Sequence, residues 1–503
     1  MKTYLNKIVA LIMMVGLVNC TGNFDELAVN PNKTEQVIPS LLFTGVSLNL
    51  ASGGGKPFFY SQMVSKQIVW TEAMEDYQYN RFGRSSFYNY SILRNVDKMV
   101  EEAERTEEDV YIGMAHFFRA WFYYDLTMAF GDIPFEEAMK GETENIYSPV
   151  YDSQETVFAG ILNELELANE ALMNTTGVLT GDIFYNNDIQ KWRKAVNTFT
   201  LRVLMTLSAK EGNTALGVKE HFNQIVSNPL KYPLIESLAD NMMFIYTDKQ
   251  GERYPFFNHS HQQYPHLDES FVNILKEQQD RRLFYYAQPT GEAVAAGIPA
   301  NSYDAYAGGD GTLPIEDLQQ LEIDKQMSRI HVRYYTDPEN EPYIVIGLAE
   351  KEFLIAEAVW RGWIDDDAAT RYNNGIKASM KFYETYGESY EGADISDAYI
   401  DAYIEYPRVQ YDPANGLEQI ITQKYIATFL QNNWLQYYEN RRTGFPELKI
   451  NPSTSLNTGS EDRIPVRWMY PQSESDANKE NVEDAIKRQY GEDNVNAVMW
   501  LLK

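Results

Sequence analysis

Between residues 344 and 386 apolar side chains recur twice at three- and four-residue spacings, with a glycine turn between the two runs, and few folds accommodate that pattern. The first run carries Ala349, Phe353, Ala356 and Val359 and closes at Arg361-Gly362-Trp363. The second starts behind Asp365, Asp366 and Asp367, acids that suit the positive end of a helix dipole, and lines its inner face with Ala369, Tyr372, Ile376 and Met380. Two helices with a small, alanine-rich seam over roughly 34 residues are the signature of a tetratricopeptide-type repeat. One such hairpin cannot bury its own apolar face, so it requires neighbours.

The chain supplies them. Residues 111–130 place Ile112, Ala115, Phe118, Trp121, Phe122 and Leu126 on one helical face, and Gly131-Asp132-Ile133-Pro134 stops that helix. Ser153 is a natural N-cap for a helix running through Val157, Ile161, Leu165 and Ala168 to Leu172. Residues 188–210 repeat the pattern with Trp192, Val196, Phe199 and Val203, and residues 420–438 provide a further partner. Shorter helices are expected at 41–50 and 58–68. Convincing strand alternation is scarce, so the predicted fold is mainly α, built from tetratricopeptide-like hairpins. Residues 232–324 break the pattern: they have little periodicity and are rich in Tyr, Pro, His and Gly. Long irregular segments in a compact protein are usually functional or disordered, and this many aromatics favour an irregular ligand-binding lobe.

The N-terminus reads differently. Lys2 and Lys7 precede an apolar run ending at Leu17-Val18-Asn19-Cys20, within the roughly 7 to 15 residues of a secretory h-region and short of the roughly 20 needed to span a bilayer. Cys20 is the only cysteine in 503 residues, so no intrachain disulfide is possible, and its place at the end of the run marks it as an acylation site. The other reading is an ordinary signal peptide with Cys20 as an incidental thiol. The expected organisation is a signal peptide over 1–19, a lipidated tether over 20–40 and a single body over 41–503.

Charge and motifs narrow the function. With 43 Lys+Arg against 72 Asp+Glu the net charge is −29, which repels phosphate backbones and argues against nucleic acid. Gly53-Gly54-Gly55-Lys56-Pro57 lacks the Ser or Thr that a phosphate-binding loop needs after its lysine. The six histidines form no zinc-hydrolase pattern, no nucleophile elbow is present, and neither enzyme activity nor a cofactor is expected. His259, His261 and His266 lack a matching further ligand, and they read as histidines of an aromatic loop rather than as a metal site.

The aromatic content, 36 Tyr, 24 Phe and 8 Trp, suits binding. Two poorly periodic stretches interleave rings with polar groups. The first offers Trp70, Tyr77, Tyr79, Asn80 and Arg81; the second offers Tyr303, Asp304 and Tyr306 beside Gly308, Gly309 and Gly311. Rings stack on the C–H faces of sugars while Asn, Arg and Asp bond the hydroxyls. These eight residues are the predicted ligand site; the alternative is that the rings pack internally.

Several ordered motifs resemble the SusD/RagB family of nutrient-binding outer-membrane lipoproteins. They include Phe24-Asp25-Glu26, Arg119-Ala120-Trp121-Phe122-Tyr123 running into Phe130-Gly131-Asp132-Ile133-Pro134, and Leu201-Arg202. Ala349-Glu350, Gln423-Lys424-Tyr425, Asn440-Arg441-Arg442-Thr443-Gly444-Phe445-Pro446 and Tyr470-Pro471 continue the series. Asn187 before Asp188 departs from the glycine usual there. The resemblance implies a lipid-anchored outer-membrane protein on the cell surface of a Bacteroidetes-type bacterium. It would capture oligosaccharide and deliver it to a TonB-dependent, SusC-like transporter. A peptide-binding relative, or an adhesive helical-repeat lipoprotein that binds only proteins, are the alternatives. Arg441 and Arg442 read as structural, serving buried carboxylate or carbonyl partners.

Overall fold

The computed structural model describes residues 37–51, 59–431 and 434–503. Cys20 and the glycine cluster at 53–57 lie outside them, as does most of the tether. Nine helices carry the argument: α1 (Pro39–Leu50), α2 (Tyr88–Thr106), α3 (Val110–Phe130), α4 (Gln154–Asn174), α5 (Ile189–Thr206), α6 (Leu348–Trp360), α7 (Ala368–Tyr386), α8 (Gly416–Ala427) and α9 (Leu435–Thr443). The mainly helical class is as the periodicity predicts, with about 51% of the described residues helical.

Helices α2, α3 and α4 pack in series, α6 pairs with α7, and α5 lies against both α4 and α6, joining the two blocks. Phe43 of α1 packs between α3 and α5, its ring 5.9 Å from Tyr111, 5.8 Å from Phe118 and 5.7 Å from Trp192. The hairpin seam depends on a missing side chain: a Cβ on Gly375 of α7 would lie 2.5 Å from the Phe353 ring of α6. Capping follows the sequence. Ser153 accepts a hydrogen bond from the Thr156 N–H, and Asp188 and Asp367 each accept two at the starts of α5 and α7. Gly131 and Gly362 end their helices at φ 84° and 72°.

The ordered motifs turn out to be joints between elements. Arg202 of α5 makes a bidentate pair with Glu350 of α6, at 2.5 and 2.6 Å, and also reaches the Val345 carbonyl. Asp132, just beyond α3, accepts from the Gln154 N–H of α4 and from Arg488 near the C-terminus. Arg441 donates to the carbonyls of Met128 and Val466, while Arg442 pairs with Glu357 and Glu439. Asn186 and Asn187 both adopt positive φ, so asparagine fills the left-handed positions at which glycine is usual.

Three expectations need correction. The 58–68 helix shrinks to Tyr60–Val64, because Lys66 turns at φ 56° and the chain enters a strand. Ile344 also belongs to a strand. The 420–438 helix breaks after Ala427, where the Thr428 hydroxyl donates back to the Lys424 carbonyl and Leu430 turns at φ 55°.

Four short strands stitch the irregular lobe to the helices. β1 (Ile68–Trp70) pairs antiparallel with β3 (Pro265–Leu267), and β2 (Met242–Phe244) with β4 (Tyr343–Ile346). The lobe itself contains short helices, among them Glu269–Glu277 and Ile315–Ile323. Residues 39–503 form one compact unit. Among the described residues no helix is long and apolar enough to cross a membrane.

Candidate functional site

The β1–β3 pairing sets Val69 opposite His266 and Trp70 opposite Pro265, and so brings together stretches almost two hundred residues apart. Beyond Trp70, both the N–H and the hydroxyl of Thr71 donate to the Tyr264 carbonyl, at 3.3 and 3.2 Å. A third stretch joins them when the Gln319 side-chain amide donates to the Thr71 and Glu72 carbonyls. Glu72 is the hub. One carboxylate oxygen accepts from the Trp70 indole N–H at 3.2 Å, and the other lies 3.0 Å from His261 Nδ1.

Around that hub the rings form a partly open face. Those of His261 and Tyr264 each lie 6.0 Å from Trp70, His259 is 5.2 Å from His261, and Phe256 stacks beneath His259. His259, His261 and Tyr264 are half-buried. Burial, then the neighbouring His261, hold the His259 pKa below its usual value. The face therefore combines apolar ring surface with a carboxylate and imidazoles, which suits a polar ligand with an apolar side. Among the described residues no three His, Cys, Asp or Glu side chains gather as a metal would require.

A buried polar network adjoins Trp70. The Lys66 ammonium donates to the Gln78 carbonyl at 2.6 Å, and Gln78 accepts from the Trp70 backbone N–H. Burial pushes the Lys66 pKa down while Asp268 and Asp310 oppose it, and burial pushes Asp268 up to about 6.

Burial corrects half of the predicted site. Trp70, Tyr79, Asn80 and Tyr306 are buried, Trp70 completely, so their faces are spent on protein. The Tyr79 hydroxyl donates to the Leu313 carbonyl and the Tyr306 hydroxyl to the Ala300 carbonyl. Tyr77 is half-buried against Tyr60 and Trp434, and Arg81 is exposed beside Asp76. Tyr303, half-buried, and Tyr306 pack on Phe284, with Asp304 exposed between them. The rings of the two stretches thus have different neighbours, although the stretches touch where Gly309 and Gly311 lie against Val69. The glycines of the second serve protein contact: a Cβ on Gly309 would lie 2.2 Å from the Met327 sulfur, and one on Gly311 2.8 Å from the Asp268 carboxylate. Glu72, His261 and Tyr264 were not predicted as a unit. The only hint was two histidines one residue apart within an aromatic loop.

Comparison with known proteins gives this geometry a family. A family model described as starch-binding, associating with the outer membrane, matches residues 31–471. A SusD homolog from Bacteroides fragilis superposes with a TM-score of 0.89 at 40% identity, over 93% of this chain and all of that one. The chain belongs to the SusD-like family. A second Bacteroides fragilis SusD homolog, also 40% identical and with the same coverage, gives a TM-score of 0.84. A chitin-binding SusD homolog from Flavobacterium johnsoniae shares the fold at 19% identity and a TM-score of 0.72, over 92% of this chain and 98% of that one. No curated protein matches. The joints formed by Arg202, Asp132, Arg441 and Arg442 are thus positions where the motifs of a SusD-like chain hold its helices together.

Proposed function

We propose that this SusD-like protein binds an oligosaccharide on the face around Glu72, His261 and Tyr264 and passes it to a TonB-dependent, SusC-like barrel in the outer membrane. The observation that carries the reading is the convergence of half-exposed rings with a carboxylate and imidazoles at the junction of three chain stretches. A sugar presents C–H faces to such rings and hydroxyls to such polar groups. The starch-binding description of the family and the chitin-binding relative support a glycan over a peptide. Acylation at Cys20 would keep the body at the cell surface, since each buried CH2 contributes about 0.8 kcal/mol to membrane attachment.

Calorimetric titration against panels of oligosaccharides and peptides tests the reading, with Tyr264→Ala and His261→Ala measured beside the wild type. A stacking ring contributes about 0.5–1.5 kcal/mol, so each change should weaken oligosaccharide binding several-fold with little loss of melting temperature. Unchanged affinity in both variants would move the site elsewhere, and binding of peptides alone would replace the ligand class.

A further inference from the structure

Inside the helical block a cavity of about 400 Å³ lies between the start of α2 and the second half of α3, bounded also by α5, α9 and β4. Its walls are aromatic, with Trp121, Tyr124, Trp434, Tyr438 and Trp468 among them. Ser85, Ser86 and Tyr88 form an exposed rim, Tyr88 with 62% of its surface accessible. The cavity shares Tyr77 with the stretch that leads from the proposed glycan face, but none of Glu72, His261 or Tyr264 lines it.

Its charges are unequally matched. Arg202 is the one base among the described lining residues, and it is already spent on Glu350 in the bidentate pair. Asp125 is the one acid, and among the described residues it has no ion-pair partner. Hydrogen bonds from Trp121 and Asn89 are its polar support. Burial outweighs first the charge of Arg202 and then these hydrogen bonds, pushing the carboxyl up to about 7. Half-buried among rings, beside a base that is already paired with Glu350, the carboxylate is costly to ionise, and a cation entering beside it lowers that cost. Tryptophan and tyrosine faces attract cations further through their quadrupoles.

We infer that this cavity is a second ligand site that takes a small organic cation, its ammonium group held between the aromatic walls and the Asp125 carboxylate. An anion would be repelled by Asp125, and Arg202, the one base among the described lining residues, is already paired. A neutral ligand would leave the carboxylate as it stands.

The probe is choline, titrated into the full chain and followed by tryptophan fluorescence, against its uncharged tert-butyl analogue in which carbon replaces nitrogen. Choline should bind saturably, with the analogue weaker by about tenfold or more. Asp125→Asn keeps the shape and the hydrogen bonding but removes the charge, and should weaken choline by about tenfold or more, as loss of a charge-assisted contact does. Ser86→Trp, at the exposed rim, should block entry without lowering the melting temperature. The groups facing Asp125 are Arg202 from α5, Tyr124 from α3 and Tyr438 from α9, and all three have raised pKa values. Only Asp125 among them titrates near neutrality, so affinity should rise about tenfold from about pH 6 to about pH 8. Equal binding of the analogue, or undiminished binding in either variant, would overturn the site. A fluorescence change that never saturates would mean that the cavity holds solvent only.

Discussion

At Arg442 a single guanidinium serves two carboxylates, Glu357 at 2.5 and 2.7 Å and Glu439 at 2.5 Å, while Lys424 reaches Glu439 from the other side at 3.0 Å. Burial alone would raise Glu439, but Arg442 and Lys424 outweigh it and hold its pKa down to about 2. A depressed carboxylate stabilises the fold above its unfolded pKa, and that contribution is lost as pH falls toward the folded value. Arg442→Met should therefore cost about 3–5 kcal/mol in urea unfolding at neutral pH, because two buried carboxylates lose a partner. Trp70→Ala should be equally severe, about 3–5 kcal/mol for an emptied aromatic position, and its main effect should be on stability rather than on ligand contact. Arg441 and Arg442 were legible as structural because arginines at the end of a helix have carbonyls and acids within reach. Trp70 was not, since its burial is decided by Pro265 and Tyr264, far away in the sequence.

Among the elements, the long helices were legible because their apolar side chains recur at three- and four-residue spacings, even in α5 and α6, whose burial runs through consecutive residues. β1 and β3 have three residues each, all buried, and so carry no alternation to read. Yet this pair positions the candidate face, so the rings that it sets beside Trp70 could not be read from the stretch that carries Trp70. The pair also has a pH signature. His266 of β3 is enclosed, and burial pushes its imidazole down to about 4. Below its unfolded pKa near 6.5 the unfolded chain takes up a proton that the folded chain refuses, so this contribution is full above 6.5 and is lost as pH falls toward 4. Asp268 runs the other way, since burial raises its carboxyl to about 6 and folding there favours the protonated form. Comparing variants isolates the histidine. Between about pH 7 and about pH 5, His266→Gln should lose about 2 kcal/mol less stability than the wild type by urea denaturation.

For the whole molecule, a net charge of −29 keeps the body away from anionic surfaces, so electrostatic attraction would not bring it to a membrane and the proposed anchor would. Tethering also changes what a weak contact can do: two proteins held on one membrane meet at a high effective concentration, and a modest interface then suffices for a lid and a barrel. We propose that acylation of Cys20 supplies that tether, and the prediction separates anchor from interface. Cys20→Ala should move the protein from the membrane fraction to the soluble fraction. Gentle-detergent pull-down from native membranes should recover a TonB-dependent barrel with the wild type and much less of it with the variant. If the variant stays with the membrane although its N-terminus is cleaved normally, Cys20 is not the anchor. If the variant becomes soluble yet recovers as much barrel, the contact stands on its own interface and the tether only localises it. A wild-type chain that never brings down a barrel would leave a surface glycan binder without the proposed transporter.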